Sequence, residues 1–291
     1  MRKFPRAGAT AACVLAAALT ASAFAIAPEP SAPPVVSARA RAYPLLAKVQ
    51  PGGPLAARGN ERGAALGFSD AATTTVVSGN WGGYAAGRRG VKFRYVRATF
   101  FVPYLDCASS PFSFSGHWVG LDGMGSPTVE QDGILAACQG NKPVYSAWYE
   151  MFPHPPVYAK MTVRPGNSIV ASVYYSARNR KYTLTLTDTT TGAQFTTAKK
   201  CPGGATCRRL SAEVISEAPT SGNAILPLSN FRAMSFSDIA VTDQRGRHGG
   251  LRARWWDTLG VVTEGAHGRV LDRPTSIAQG RAFSDYWMAP R

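Results

Sequence analysis

From about residue 76 onward the chain is written in short runs that alternate apolar and polar side chains, each closed by turn residues. KYTLTLTD (181–188) shows the pattern most plainly. Tyr182, Leu184 and Leu186 fall on one side and the threonines on the other, the period of a half-buried strand. FRYVRATFFVP (93–103), YAKMTVRPG (158–166), SIVASVYYSA (168–177), AMSFSDIAVTD (233–243) and SDYWMA (284–289) read the same way. Pro-Gly, Thr-Gly and Arg-Gly turns recur about every 10 residues, as in antiparallel sandwiches. No long amphipathic helix interrupts them. The predicted fold is therefore all-β, an antiparallel β-sandwich.

The residues before this pattern divide in two. Arg2, Lys3 and Arg6 precede an Ala/Leu/Val-rich run, and small residues at positions 21–27 offer overlapping cleavage sites, so residues 1–27 read as an export signal. Residues 28–75 are rich in Ala, Pro, Gly and Arg and show no periodicity, which predicts a disordered linker or pro-segment. Residues 76–291 then form one globular β-domain, long enough for a full core. The protein is expected to be secreted and free of the membrane once the signal is cut.

Cysteine usage agrees with export. Cys13 lies in the signal, leaving Cys107, Cys138, Cys201 and Cys207 as an even set in an oxidising compartment. Cys201 and Cys207 bracket the turn CPGGATC, so the preferred pairing is Cys201 with Cys207 and Cys107 with Cys138, although four cysteines permit three connectivities. The net charge of +15 changes the picture little, because the basic residues are scattered over presumed loops and outward strand positions. No clustered basic face or nucleic-acid motif accompanies it, so no nucleic-acid partner is expected.

Candidate chemistry is concentrated in residues 117–153, HWVGLDGMGSPTVEQDGILAACQGNKPVYSAWYEMFP, and in SAEVISEAP (211–219). These supply Gln131, Glu150, Glu213 and Glu217 within a framework of Trp, Tyr and Gly. SGNWGGYAA (78–86) adds Trp81 beside two glycines, and Trp81, Trp118 and Trp148 together suggest an aromatic-lined cleft. There is no G-x-S-x-G, H-E-x-x-H, D-T-G or D-S-G motif, no Gly-rich phosphate loop, and no His pair at metal-ligand spacing. No cofactor and no metal are expected. Of the four histidines only His117 falls in the informative block, where it is a candidate pH-sensitive contact.

These motifs, in the order GNWGGY, VRATFFVP, WVGLDG, TVEQDG, YSAWYEMFP, SAEVISEAP and LPLSNFRAMSF, resemble the glutamic peptidases (eqolisins, peptidase family G1), secreted acid endopeptidases. The resemblance implies an antiparallel β-sandwich of two large packed sheets with a concanavalin- or lectin-like architecture, a pro-segment removed on activation, and a Gln/Glu catalytic dyad. Motif for motif, it places the dyad at Gln131 and Glu213, 82 residues apart, with Trp81, Trp118, Asp122, Trp148 and Glu150 as cleft or supporting residues. Two positions depart from the family pattern: Val214 stands where Trp commonly follows the dyad glutamate, and Ser146 where Asp often precedes Ala-Trp-Tyr-Glu.

Chemistry and resemblance agree on what such residues can do. A glutamate can take a proton from water and return it to a leaving amine, while a glutamine, which does not titrate, donates to the developing oxyanion. Glu217, at the strand end before Ala-Pro, is read as a structural residue. The expected function is metal-independent peptide hydrolysis, acting on protein or peptide substrates as a monomer. The alternatives are a secreted glycoside hydrolase using Glu150 and Glu213, whose carboxylates would then stand about 5–9.5 Å apart, and a carbohydrate-binding lectin-like module without chemistry.

Overall fold

The computed structural model describes residues 49–55 and 74–290. The expected export signal (1–27) lies outside the described residues, as does most of the expected linker. Alternating residues become strands as follows: β1 (Thr74–Ser78), β2 (Trp81–Gly87), β3 (Phe93–Phe101), β4 (Phe114–Asp122), β5 (Val129–Gln139), β6 (Lys142–Phe152), β7 (Val157–Tyr158), β8 (Ser168–Ser176) and β9 (Lys181–Asp188). The remainder are β10 (Gln194–Lys200), β11 (Ser211–Glu217), β12 (Thr220–Ser221), β13 (Ala224–Ile225), β14 (Ala233–Asp243), β15 (His248–Gly249), β16 (Asp257–Glu264), β17 (Val270–Pro274) and β18 (Phe283–Trp287). Among the described residues no helix is long and apolar enough to cross a membrane.

One hydrogen-bonded path connects β10-β9-β8-β3-β14-β18-β17-β16-β2-β11-β4-β5-β6-β7, with every neighbouring pair along it antiparallel. β1 joins β16 in parallel, beginning at Thr74, two residues before the expected start of strand pattern. The path doubles back on itself, so that β5 lies against β8 and β9, with which it does not pair. Period-two alternation explains the packing. Val96, Ala98, Ile169, Ala171, Leu184 and Leu186 from one half meet Val119, Leu121, Ile134, Tyr149 and Val214 from the other, all buried. Each large apolar side chain so buried contributes about 1.5–3 kcal/mol. The expected β-sandwich is the observed fold.

β2, β11, β4, β5 and β6 are buried on both faces. Their inner residues enter the sandwich core, while Trp81, Trp118, Val129, Leu135, Trp148 and Ile215 form a second apolar cluster on the opposite face. That second face carries the site. Both expected disulfides form, Cys107–Cys138 and Cys201–Cys207, with Cα atoms 5.4 and 5.9 Å apart. Residues 158–166 differ from expectation. Only Val157 and Tyr158 pair, with Tyr149 and Trp148, yet Met161 and Val163 still turn into the core. Alternation there reports burial without a neighbouring strand to complete a ladder.

Candidate active site

Strand register sets the candidate residues out in rows. Glu150, Gln131, Gly120 and Glu213 lie opposite one another across β6, β5, β4 and β11, and directly paired residues share a face. Gln131 and Glu213 are thus two strands apart, about 10 Å between backbones. Gly120 fills the intervening position, and it is covered by the indole of Trp118: a Cβ there would lie 2.9 Å from Trp118 Cζ3 and 3.2 Å from Gln131 Cβ. An aromatic ring therefore stands between the glutamine and the glutamate.

Glu213 is fully buried, and neither carboxylate oxygen has a hydrogen-bond partner of ordinary geometry. Burial pushes its pKa well up, aided by the neighbouring Asp122 and Glu130 and opposed by Ser211. Its surroundings therefore favour the neutral form. Asp122 does not reach the cleft contacts either. Its carboxylate accepts from the backbone N–H groups of Arg209 and Leu210 and from the Thr128 hydroxyl, pinning the approach to β11 against the end of β4.

Glu217 sits elsewhere. Four residues further along β11 and on the same face, its Oε2 accepts from Trp118 Nε1 at 2.9 Å and its Oε1 from Asn80 Nδ2 at 3.2 Å. Its Oε2 also accepts the backbone N–H of Gly52 at 2.6 Å. Gln131 meets the same residue from the other side: its Nε2 donates to the Gly52 carbonyl and, at 2.9 Å, to Glu150 Oε2. Glu150 Oε1 accepts from Gln50 Nε2 at 3.2 Å. Gln131, Glu150 and Glu217 thus converge on one glycine of the segment 49–55, and Glu213 does not join them.

The electrostatics follow from burial. Glu217 is pushed up to about 8, first by desolvation, with the Trp118, Gly52, Asn80 and Trp81 donors pulling it down. Glu150 is raised well above the carboxylate range by burial and by the charge of Glu217, against the lowering effect of Gln50 and Gln131. His117 is also buried, between the hydroxyls of Ser115 and Ser216 with the Phe231 ring edge-on, and desolvation lowers it to about 3. It stays neutral inside the wall and does not touch the cleft segment.

The three tryptophans expected to line a cleft are all fully buried, and two act as donors. Trp81 Nε1 donates to the Gly53 carbonyl at 3.0 Å, and its ring meets Trp118 edge-to-face at 4.9 Å. Trp148 packs in the same cluster. Glu217 was legible on strand parity alone, since it shares a face with Glu213, but the Ala-Pro that follows disguised it as a strand end. Asn80 was not singled out by the sequence at all. Its signal, adjacency to Trp81 in GNWGG, became meaningful only once β2 lay beside β11. Among the described residues no group of three or more His, Cys, Asp or Glu is placed to hold a metal ion.

Comparison with known proteins gives a concordant result. The sequence model of the Peptidase A4 family matches residues 79–266. A crystal structure of Scytalido-glutamic peptidase with a peptide-based transition-state analog is similar at a TM-score of 0.61 and 26% identity, covering 72% of this chain and 98% of that one. SCP-B, a member of the eqolisin family of peptidases in complex with the tripeptide Ala-Ile-His, is similar at 0.58 and 25%, covering 72% and 98%. Aspergilloglutamic peptidase from Aspergillus niger shares the fold, with a TM-score of 0.53 and 22% identity over 60% of this chain and 99% of that one. No curated protein sequence matches the chain.

Proposed function

The chain belongs to the peptidase A4 family and is a glutamic-type peptidase, and on that premise we propose that it is a secreted acid endopeptidase whose catalytic pair is Gln131 and Glu217. The observation that carries this reading is the grip on Gly52, whose carbonyl accepts from Gln131 and whose N–H donates to Glu217. A peptide backbone lying in the cleft meets these two side chains and not Glu213, the residue to which motif matching pointed. Glu213 lies buried behind the Trp118 ring instead, where desolvation favours its neutral form.

In the reaction, ionised Glu217 takes a proton from water as its oxygen attacks the substrate carbonyl carbon. The Gln131 amide donates to the resulting oxyanion, and Glu150 holds that amide in place. Glu217, now an acid, returns the proton to the leaving nitrogen as the C–N bond breaks, giving a carboxylic acid and an amine. Burial is the largest cause of the raised Glu217 pKa. In an open, hydrated cleft that cause weakens while the Trp118 and Asn80 donors remain, which favours the ionised base in acid. Peptide-type ligands are also what the similar proteins hold, one a peptide-based transition-state analog and one a tripeptide. A glycosidase pair of Glu150 and Glu213 fits less well, since three strand spacings, about 14 Å, separate their backbones.

Cleavage of a denatured protein by the secreted enzyme, followed from pH 2 to 7 with EDTA present, tests the assignment. Glu217→Gln should abolish turnover, Gln131→Ala should lower it on the order of 10²–10³-fold, and Glu213→Gln should leave most activity in the folded fraction. An active Glu217→Gln beside a silent, folded Glu213→Gln would return the base to Glu213. Recovery of the protein from the culture medium without residues 1–27 tests export.

A further inference from the structure

Basic residues that are scattered along the sequence gather in the fold. The turn after β2 (88–92), the turn after β14 (244–247), the loop into β16 (250–256) and the turn before β18 (279–282) close one end of the sandwich together. The Lys92 carbonyl accepts the backbone N–H of Gln244 at 2.7 Å, and Arg88 pairs with Asp257 at 2.7 Å. A Cβ on Gly250 would lie 2.1 Å from the Gly280 carbonyl oxygen and 2.7 Å from Arg281 Cγ. The four segments hold eight arginines and lysines and no acid; Asp238, Asp243 and Asp257 stand at their margins.

These loops are held in place from below. Asp243 is fully buried, and its carboxylate accepts from the backbone N–H groups of Arg245 and Arg247, at 2.9 and 3.0 Å, and from Arg247 Nε at 2.6 Å. Trp256 packs edge-on against Phe93, and its Nε1 donates to the carbonyls of Gly250 and Leu251. The half-buried Trp255 ring carries two guanidinium groups, Arg254 at 4.2 Å and Arg247 at 5.3 Å from its centroid. Arg88 and Arg247 have acidic partners. Arg89, Lys92, Arg245, Arg252, Arg254 and Arg281 are exposed and form no salt bridge among the described residues.

Such a surface attracts a polymer of closely spaced anions, and the guanidinium fork fits the paired oxygens of carboxylate and sulfate groups. Of the exposed large apolar side chains none lies in these segments, so nothing there enters a lipid surface or stacks on bases. The cleft is well away. Along β2, Trp81 is level with Glu217 and Gly87 with Asp257, a separation of about 20 Å.

We propose that this end of the sandwich is a binding site for a linear acidic polysaccharide, gripped through carboxylate or sulfate groups on successive sugars by Arg89, Lys92, Arg245, Arg252, Arg254 and Arg281. A polymer held there leaves the cleft open, so the bound protein remains free to meet a peptide. The site stands independently of the peptidase reading of that cleft.

Calorimetry on the full chain at about 0.15 M salt, where charges beyond roughly 8 Å are screened, tests the assignment with four probes. These are polygalacturonate, dextran sulfate, a DNA duplex and phosphatidylglycerol vesicles. At least one of the two polysaccharides should bind, more tightly than the duplex or the vesicles, and the tighter of the two identifies the anion. The triple variant Arg89→Glu, Arg245→Glu and Arg252→Glu should weaken that binding on the order of 10²-fold. A control with the same charge change outside the patch, Lys142→Glu, Lys160→Glu and Arg164→Glu, should weaken it less than about threefold. If the triple patch variant fails to fold, Arg245→Glu alone carries the same test, with a loss of about fivefold. Binding of neither polysaccharide, equal losses in the patch and control variants, or tighter binding to the duplex or the vesicles would each overturn the proposal.

Discussion

Replacing Asp272 with Asn should make the protein markedly more stable near neutral pH and change it little in acid. Asp272 and Asp285 are both fully buried, on the neighbouring strands β17 and β18, and none of their four carboxylate oxygens has a partner of ordinary geometry. Burial pushes Asp272 up to about 7, from an ordinary 3.8, with Thr263 lowering it. It raises Asp285 as well, with the charge of Asp272 as the second cause. As pH rises, the unfolded chain gives up its proton first and the folded Asp272 holds on to about 7. Stability is therefore complete below the unfolded value and declines across that window. A shift of that size amounts to about 4 kcal/mol above it. Asn keeps the shape and removes the titration, and Asp285 also loses its repelling neighbour. Urea unfolding of wild type and Asp272→Asn at pH 3 and pH 7 measures the difference directly. The wild-type decline between the two should shrink by about 4 kcal/mol in the variant. Equal declines in both proteins would mean that the buried pair does not set the pH dependence, and the reasoning would be refuted.

Further expectations concern other buried groups. His117, held at about 3, works in the opposite direction: its contribution is present above the unfolded value of about 6.5 and is lost as pH falls towards 3, up to about 5 kcal/mol, so His117→Gln should flatten the acid limb of the same unfolding profile. Trp118→Phe removes the indole donor to Glu217, and should lower kcat about tenfold while moving the acid limb of the pH–rate profile to higher pH. Gly82→Ala would drive a Cβ into the Asp272 carboxylate, and should lower Tm by several degrees, about 1–3 kcal/mol for an overpacked site. Of the disulfides, Cys107–Cys138 spans 31 residues and Cys201–Cys207 only 6, so replacing the first pair by Ala should cost about 4 kcal/mol in urea unfolding and the second about 2.

What could be read without the structure was whatever has a local cause. Alternation along KYTLTLTD and AMSFSDIAVTD predicted strands because period two is a property of the backbone, and both became strands, the first with its apolar face inward throughout and the second with a bulge that switches the buried parity from Met234 and Phe236 to Ile239 and Val241. The short CPGGATC turn fixed one disulfide by proximity and left the other pair by remainder. Parity put Glu217 on the face of Glu213, whereas the register between strands set both on the face of Gln131 and Glu150.

Which of those carboxylates meets a peptide was a tertiary decision. Row alignment alone favours Glu213, opposite Gly120 and two strands from Gln131. The Trp118 ring lies over that glycine and its indole N–H turns to Glu217 instead. A ring orientation depends on everything packed around it, and strand spacing does not encode it. Residues 49–55 are the same kind of case. VQPGGPL has no periodicity and reads as linker because its order comes from no pattern of its own. Its backbone groups are satisfied by Tyr158, Thr220, Trp81, Asn80, Gln131 and Glu217, side chains and backbone from β7, β12, β2 and the turn before it, β5 and β11, which only the tertiary fold brings together.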